Sequence, residues 1–259
     1  MKKILLLLLL TSGVVSAFSD CTTMGMRFFP STKEISLNSK FIIQGYADSQ
    51  SIILSFKERA VYLESENGEL IKLNLQEILT GELYLTQAIF YPTSELKPNT
   101  KYFLKYPDET ENEIKQMTIY NNEDKEREKV YWKTTDKKML DHLSPNLTLE
   151  FEKTDVIHYG CGPEANAIFK IKNNVASEIW YKTEVIEKET HKKTVFYIKE
   201  CYGKLLVGHD MCAGAFTFKR KGEYKVRFTP MNIDGVPLKT TDWTTFQSPF
   251  ENDKNPFGN

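Results

Sequence analysis

Apolar residues in this chain recur at every second position in short runs cut by turn residues, a period that suits half-buried strands and not amphipathic helices. Ile71, Leu73 and Leu75 alternate with Lys72, Asn74 and Gln76. Ala167, Phe169 and Ile171 alternate with Ile168, Lys170 and Lys172, and Tyr224, Val226 and Phe228 with Lys225, Arg227 and Thr229. Such runs describe sheets packed on one side and wet on the other. Between Val61–Ser65 and Leu70–Leu75 stands Asn67-Gly68, a pair that tolerates the positive φ of a two-residue hairpin turn. Further strands are expected over Phe41–Tyr46, Ser51–Phe56, Ile114–Tyr120, Val130–Thr135, Trp180–Ile186, Thr194–Lys199 and Ala215–Lys219. The fold class expected is all-β.

The first residues speak to compartment. Lys2 and Lys3 precede the apolar run Ile4–Leu10, and Val15-Ser16-Ala17 supplies the small residues that a signal peptidase accepts. Residues 1–17 are therefore expected to be a cleaved export signal, with Phe18 as the mature start and a secreted or periplasmic destination. The run is broken by Thr11, Ser12 and Gly13, short of the roughly 20 apolar residues of a membrane span. No later stretch is long and apolar enough to span a bilayer. Lipid attachment at Cys21 is the alternative, although Asp20, not a small residue, precedes that cysteine. Losing the signal leaves 32 basic against 35 acidic residues, a net charge of about −3. That balance argues against nucleic acid, whose partners carry a basic footprint.

Leu96-Lys97-Pro98-Asn99-Thr100-Lys101-Tyr102, followed by Phe103-Leu104-Lys105-Tyr106, resembles the Leu-x-Pro-x-Thr-x-Tyr corner leading into strand F of fibronectin type III and bacterial immunoglobulin-like domains. Pro98 fixes φ at such a bend, and the Tyr102 hydroxyl can bond backbone a few residues upstream. Tyr224 opens a second strand of this kind after Gly222-Glu223, without the Leu-x-Pro-x-Thr part. Trp132-Lys133-Thr134-Thr135 and Trp243-Thr244-Thr245 echo one another downstream of the two tyrosines. The resemblance implies two tandem immunoglobulin-like (fibronectin type III-like) β-sandwiches over residues 26–136 and 141–248, with 249–259 a flexible tail. It also implies an envelope address and a binding, spacing or presenting role.

Four cysteines in an exported chain can form disulfides. If Thr194–Glu200 runs up to one end of the second sandwich and Ala215–Lys219 runs back, Cys201 and Cys212 meet there as a structural bridge, with Cys161 at the other end. Cys21 and Cys161 then pair with each other, or Cys161 stays free. The segment between Cys201 and Cys212 reads as a loop, and Leu205, Leu206 and Val207 inside it as a possible binding surface. Other exposed candidates are the charged turn Pro107–Glu113 and the segment Asn121–Lys129, neither of which shows the acidic ladder of a calcium loop. Asn146-Leu147-Thr148 is a glycosylation sequon.

Neither Gly-x-Ser-x-Gly nor His-Glu-x-x-His occurs, and His142, His158, His191 and His209 are scattered. No catalytic residue, metal site or cofactor is expected. The leading functional expectation is a non-enzymatic secreted or envelope module that binds, presents or spaces an extracellular or envelope macromolecule. Two others stand beside it: a periplasmic pilus-type chaperone offering the Val130–Thr135 edge by strand addition, and a secreted hydrolase whose site is assembled around Cys161, Glu164 and His209.

Overall fold

The computed structural model describes residues 24–121, 125–139, 142–174, 176 and 178–254. The expected export signal, Cys21 and the last residues of the tail lie outside these. Among the described residues no helix is long and apolar enough to cross a membrane. The chain is mostly β, in two units.

The first unit contains β1 (Met24–Phe29), β2 (Glu34–Ile35), β3 (Phe41–Ala47), α1 (Gln50–Ser55), β4 (Val61–Ser65), β5 (Leu70–Thr80), β6 (Leu85–Pro92), β7 (Lys101–Lys105), α2 (Glu111–Gln116), β8 (Thr118–Asn121), β9 (Glu126–Lys129) and β10 (Tyr131–Thr134). Eight of its strands form a sheet in the order β1-β3-β6-β5-β4-β7-β10-β2. β5 makes this possible: its start pairs with β4, its remainder with β6, and the register shifts between Leu75 and Glu77. A bulge of this kind bends and twists the strand, which lets the two groups of strands close over one core. That core is built on Phe41, Ile43, Leu63, Phe90, Leu104 and Trp132, with Phe41 and Trp132 meeting edge to face at 4.8 Å.

Two stretches expected as strands are helical. Ser51–Phe56 lies in α1 and the residue after it, because Ile53 and Phe56, three apart, are the buried pair and a helix puts them on one face. Gly45 admits this helix onto β3: a Cβ there would come within 2.6 Å of the Ser49 carbonyl and 2.8 Å of Ile53 Cγ1. Ile114–Tyr120 is divided between α2 and β8. α2 begins inside the charged turn Pro107–Glu113, so that segment is not a free binding loop. Thr110 and Glu113 form a reciprocal capping box, and Arg59 clasps Glu113 and Asp108. Burial pushes the Glu113 carboxyl up, but the Arg59 guanidinium and the Thr110 N–H and hydroxyl hold it below the usual carboxylate range. The Asn121–Lys129 segment enters the β8–β9 hairpin, with 122–124 outside the described residues.

The second unit contains β11 (Thr148–Tyr159), β12 (Gly162–Lys172), β13 (Ile179–Glu187), β14 (Lys193–Lys199), β15 (Lys204–His209), β16 (Glu223–Asn232) and β17 (Thr244–Gln247). They form a three-stranded sheet, β11-β12-β15, and a four-stranded sheet, β14-β13-β16-β17. Phe169, Leu205, Val207, Phe216 and Phe228 fill a second core.

The connection after β14 corrects the sequence reading. Tyr202 and Gly203 both take positive φ, Cys201 and Lys204 pair across them, and β15 starts at once. Leu205 and Val207 are therefore core residues of a paired strand, and the expected loop does not exist. Ala215–Lys219 is a connection, not a strand; Thr217 donates from its N–H and hydroxyl to Glu82, both at 2.8 Å. Cys201 is a free thiol, so no Cys201–Cys212 bridge forms, and Cys161 is free as well. Cys212 is bonded to neither of them.

The corner tyrosines take matching roles. Tyr102 Oη accepts the Lys97 N–H at 2.9 Å and Tyr224 Oη accepts the Lys219 N–H at 2.8 Å, each five residues upstream. Leu96 is buried, and Thr100 Oγ1 donates to the Pro98 carbonyl at 2.9 Å. Tyr102 stands opposite Trp132 and Tyr224 opposite Phe246. Phe246, not Trp243, is thus the counterpart of Trp132, and the two Trp-Thr phrases are out of register by three residues. Trp243 lies outside the core beneath Lys225 and Arg227. Tyr102→Phe and Tyr224→Phe should each lower stability by about 1–3 kcal/mol, because each strands a backbone N–H. Urea unfolding reads this directly, and unchanged midpoints would mean the hydroxyls add nothing.

The two units share their cores. Trp180, Tyr197, Met231 and Ile233 belong by sequence to the second and pack in the first. The tail is also less free than expected: Pro249 is buried, His158 Nε2 lies 2.8 Å from Asp253 Oδ2, and Phe250 stacks on His209 at 6.4 Å.

Candidate functional site: the cleft between the units

Where the β1-β3-β6 face meets β12, β15 and the turn after β15, the units leave a cleft of about 430 Å³ that continues into a second of similar volume. Period-2 alternation decides what faces it. In β15, Leu205 and Val207 point into the second core, so Leu206 must point the other way, toward the first unit. Arg27 on β1, Gln44 on β3 and Leu85 on β6 line the opposite wall. Gly208 keeps β15 tight against β12, since a Cβ there would come within 1.9 Å of the Ala165 carbonyl.

The floor is an amide bridge between the units. Gln87, buried on β6, donates from Nε2 to the Tyr197 carbonyl at 2.8 Å and accepts the Tyr197 N–H at Oε1 at 3.1 Å. It therefore satisfies the open backbone edge of β14, which an unpaired strand would otherwise leave exposed. Its Nε2 also donates to Gln44 Oε1 at 2.8 Å. Nearby, Glu82 accepts from Thr194 Oγ1 at 2.5 Å and Lys192 Nζ at 2.9 Å in addition to Thr217. Burial pushes its carboxyl up, and these donors hold it below the usual range.

The rim is a fixed turn. Asp210 Oδ1 accepts the N–H groups of Cys212 and Ala213 at 2.7 Å each. Gly214 pairs with Leu83 of the first unit through bonds of 2.8 and 3.1 Å. The Arg27 guanidinium lines the cleft with no hydrogen bond or ion pair to another described residue. Tyr46 and Tyr159 add aromatic walls on the side of the second cavity.

The expected Cys161, Glu164 and His209 cluster is divided. Glu164 and His209 line the cleft, but among the described residues no hydrogen bond joins the three. Cys161 Sγ lies 3.0 Å from Met211 Sδ, His209 Nδ1 lies 2.8 Å from the Asp210 carbonyl, and Glu164 accepts from Asn166 at 3.1 Å. No group of three potential metal ligands occurs among the described residues. Of the residues singled out by sequence, Leu206, Glu164, His209 and Cys201 face the cleft, and Cys212 stands at its rim. Arg27, Gln44 and Gln87 gave no sequence signal, being ordinary polar positions on strands far apart in the chain.

No protein-family model matches the chain, and no curated protein matches it. Solved structures with partial likeness include a pullulanase complexed with maltotriose from Anoxybacillus sp. LM18-11, at 6% identity and TM-score 0.24, covering 86% of this chain and 25% of that one. A cytokine receptor complex aligns at 9% identity and TM-score 0.26, covering 87% and 96%. A DUF4785 family protein from Legionella pneumophila aligns at 9% identity and TM-score 0.21, covering 88% and 58%. The chain spans about a quarter of the pullulanase chain. TM-scores of 0.21 to 0.26 assign no family.

Proposed function

We propose that this chain is an exported, non-enzymatic pair of immunoglobulin-like, fibronectin type III-like sandwiches that binds or presents an extracellular or envelope macromolecule, using the cleft at their junction. The strand order supports the fold reading. In sequence order within the second unit, strands one, two and five form one sheet and four, three, six and seven the other, as in two-sheet Greek-key sandwiches. Both tyrosine corners agree with it.

The observation that carries the binding reading is Arg27: a guanidinium with no hydrogen bond or ion pair to another described residue, on a strand paired with β3, in a cleft that also offers Leu206 and Leu85. Junctions between domains are favoured places for ligands, with a few polar groups giving orientation and apolar walls giving affinity. The chaperone reading loses its edge, since β10 is flanked by β7 on one side and β2 on the other. Pull-down from envelope extracts with wild type, Arg27→Glu and Leu206→Ser tests the proposal. Loss of one specific partner in both variants, with folding retained, is expected. A partner held equally by all three would move the contact off the cleft, and turnover abolished by replacing Cys161 or His209 would overturn the non-enzymatic reading.

A further inference from the structure

We infer that the cleft takes a carboxylate carried beside an apolar group on a peptide, held between the Arg27 guanidinium and the Gln44 side-chain amide; this rests on the cleft being the binding surface. Strand register places the two groups side by side. Arg27 stands opposite Gln44 across β1 and β3, and Gln44 opposite Gln87 across β3 and β6. The three therefore form one row on one face of the sheet, with neighbouring Cβ atoms about 4.5–5.5 Å apart. The next row on that face holds Tyr46 and Leu85.

Hydrogen bonding runs along this row with a fixed direction. The Tyr197 N–H only donates and its carbonyl only accepts, so Gln87 turns Oε1 to the first and Nε2 to the second, at 3.1 and 2.8 Å. The other Nε2 hydrogen of Gln87 goes to Gln44 Oε1 at 2.8 Å, which leaves Nε2 as the outward group of Gln44. That nitrogen, like the Arg27 guanidinium, has no hydrogen bond to another described residue. Two donor groups cannot satisfy one another, so the open end of the row presents donors alone. The carboxylates across the cleft are engaged within their own unit: Glu164 accepts from Asn166 at 3.1 Å and from Tyr159 Oη at 3.4 Å, and Asp210 Oδ1 holds the Cys212 and Ala213 N–H groups. A planar carboxylate fits a guanidinium fork. One guanidinium facing these acidic groups suits the single charge of a carboxylate and not the greater charge of a phosphomonoester. Leu85 and Leu206 supply the aliphatic surface beside it.

The test titrates the whole chain, as wild type, Arg27→Gln and Gln44→Glu, with acetyl-glycyl-glycyl-leucine, its C-terminal amide, acetyl-glycyl-glutamyl-leucine amide and inorganic phosphate, followed by nitrogen-edited NMR. Gln44→Glu keeps an oxygen for Gln87 Nε2 but replaces the outward donor with a second oxygen, which pairs with Arg27 and closes the site. Wild type should bind the acids saturably and shift the Gln44 Nε2 and Arg27 Nε signals, the tighter acid telling a chain terminus from an acidic side chain. Both substitutions should weaken this binding by about tenfold or more, the loss for a charge-assisted hydrogen bond, and Gln44→Glu should melt no lower than wild type. No saturable binding of either acid at millimolar concentration would overturn the inference, as would equal binding of the uncharged amide or of phosphate, or affinities unchanged in both variants. Acids still captured by a protein whose extract partner ignores Arg27→Glu would displace the partner and not the carboxylate site. Acids ignored while Arg27→Glu still loses its partner would overturn the carboxylate and not the cleft.

Discussion

Trp180→Ala should destabilise the entire chain by about 3–5 kcal/mol, the range for deleting a large aromatic from a packed core, and should shift both units together. Trp180 is fully buried on β13 of the second unit yet packs in the first core. Its Nε1–H donates to Glu178 Oε1 at 2.7 Å, while Glu178 Oε2 accepts the Ser31 N–H at 2.7 Å from the first unit. Removing the indole therefore opens a cavity in one unit and takes a donor from a buried carboxylate that ties the two together. The remaining tryptophans report from either side: Trp132 in the first core and Trp243 on the second unit. Denaturant unfolding followed by fluorescence, with Trp132→Phe and Trp243→Phe backgrounds to separate the signals, should give coincident midpoints that move together. A Trp243 signal unfolding at the wild-type midpoint while Trp132 shifts would show that the units are energetically independent.

Leu205→Ser and Leu206→Ser, neighbours in sequence, should behave oppositely. Leu205 is fully buried in the second core, so a serine there loses apolar burial, leaves a cavity and buries an unpaired hydroxyl, together about 3–5 kcal/mol. The expected outcome is poor expression or a sharply lowered melting temperature. Leu206 faces the cleft and remains partly exposed, so its replacement should change stability by under about 1 kcal/mol while weakening partner capture. Equal losses at both positions would mean that the cleft wall is closed core.

The strand content was legible because burial on one sheet face writes a period of two into the residues themselves, as in Leu70–Leu75 and Tyr224–Phe228. Both corner tyrosines were legible too, since the acceptor of Lys97 or Lys219 lies only five residues along the chain. Ser51–Phe56 misled because a run as short as Ser-Ile-Ile-Leu-Ser-Phe satisfies either period, and the packing of Ile53 against Gly45 on a neighbouring strand goes with the helix. The Cys201–Cys212 segment misled because its turn is only Tyr202-Gly203, too short to distinguish from the start of a longer loop. Cysteine pairing, the register of the second Trp-Thr phrase and the cleft lay beyond sequence altogether. Each depends on which residues meet across separations such as the 110 positions between Gln87 and Tyr197. Local chemistry in this protein determined the kind of element and its buried face; the packing of one unit on the other decided which polar groups met partners and which, like Arg27, were left to face the cleft.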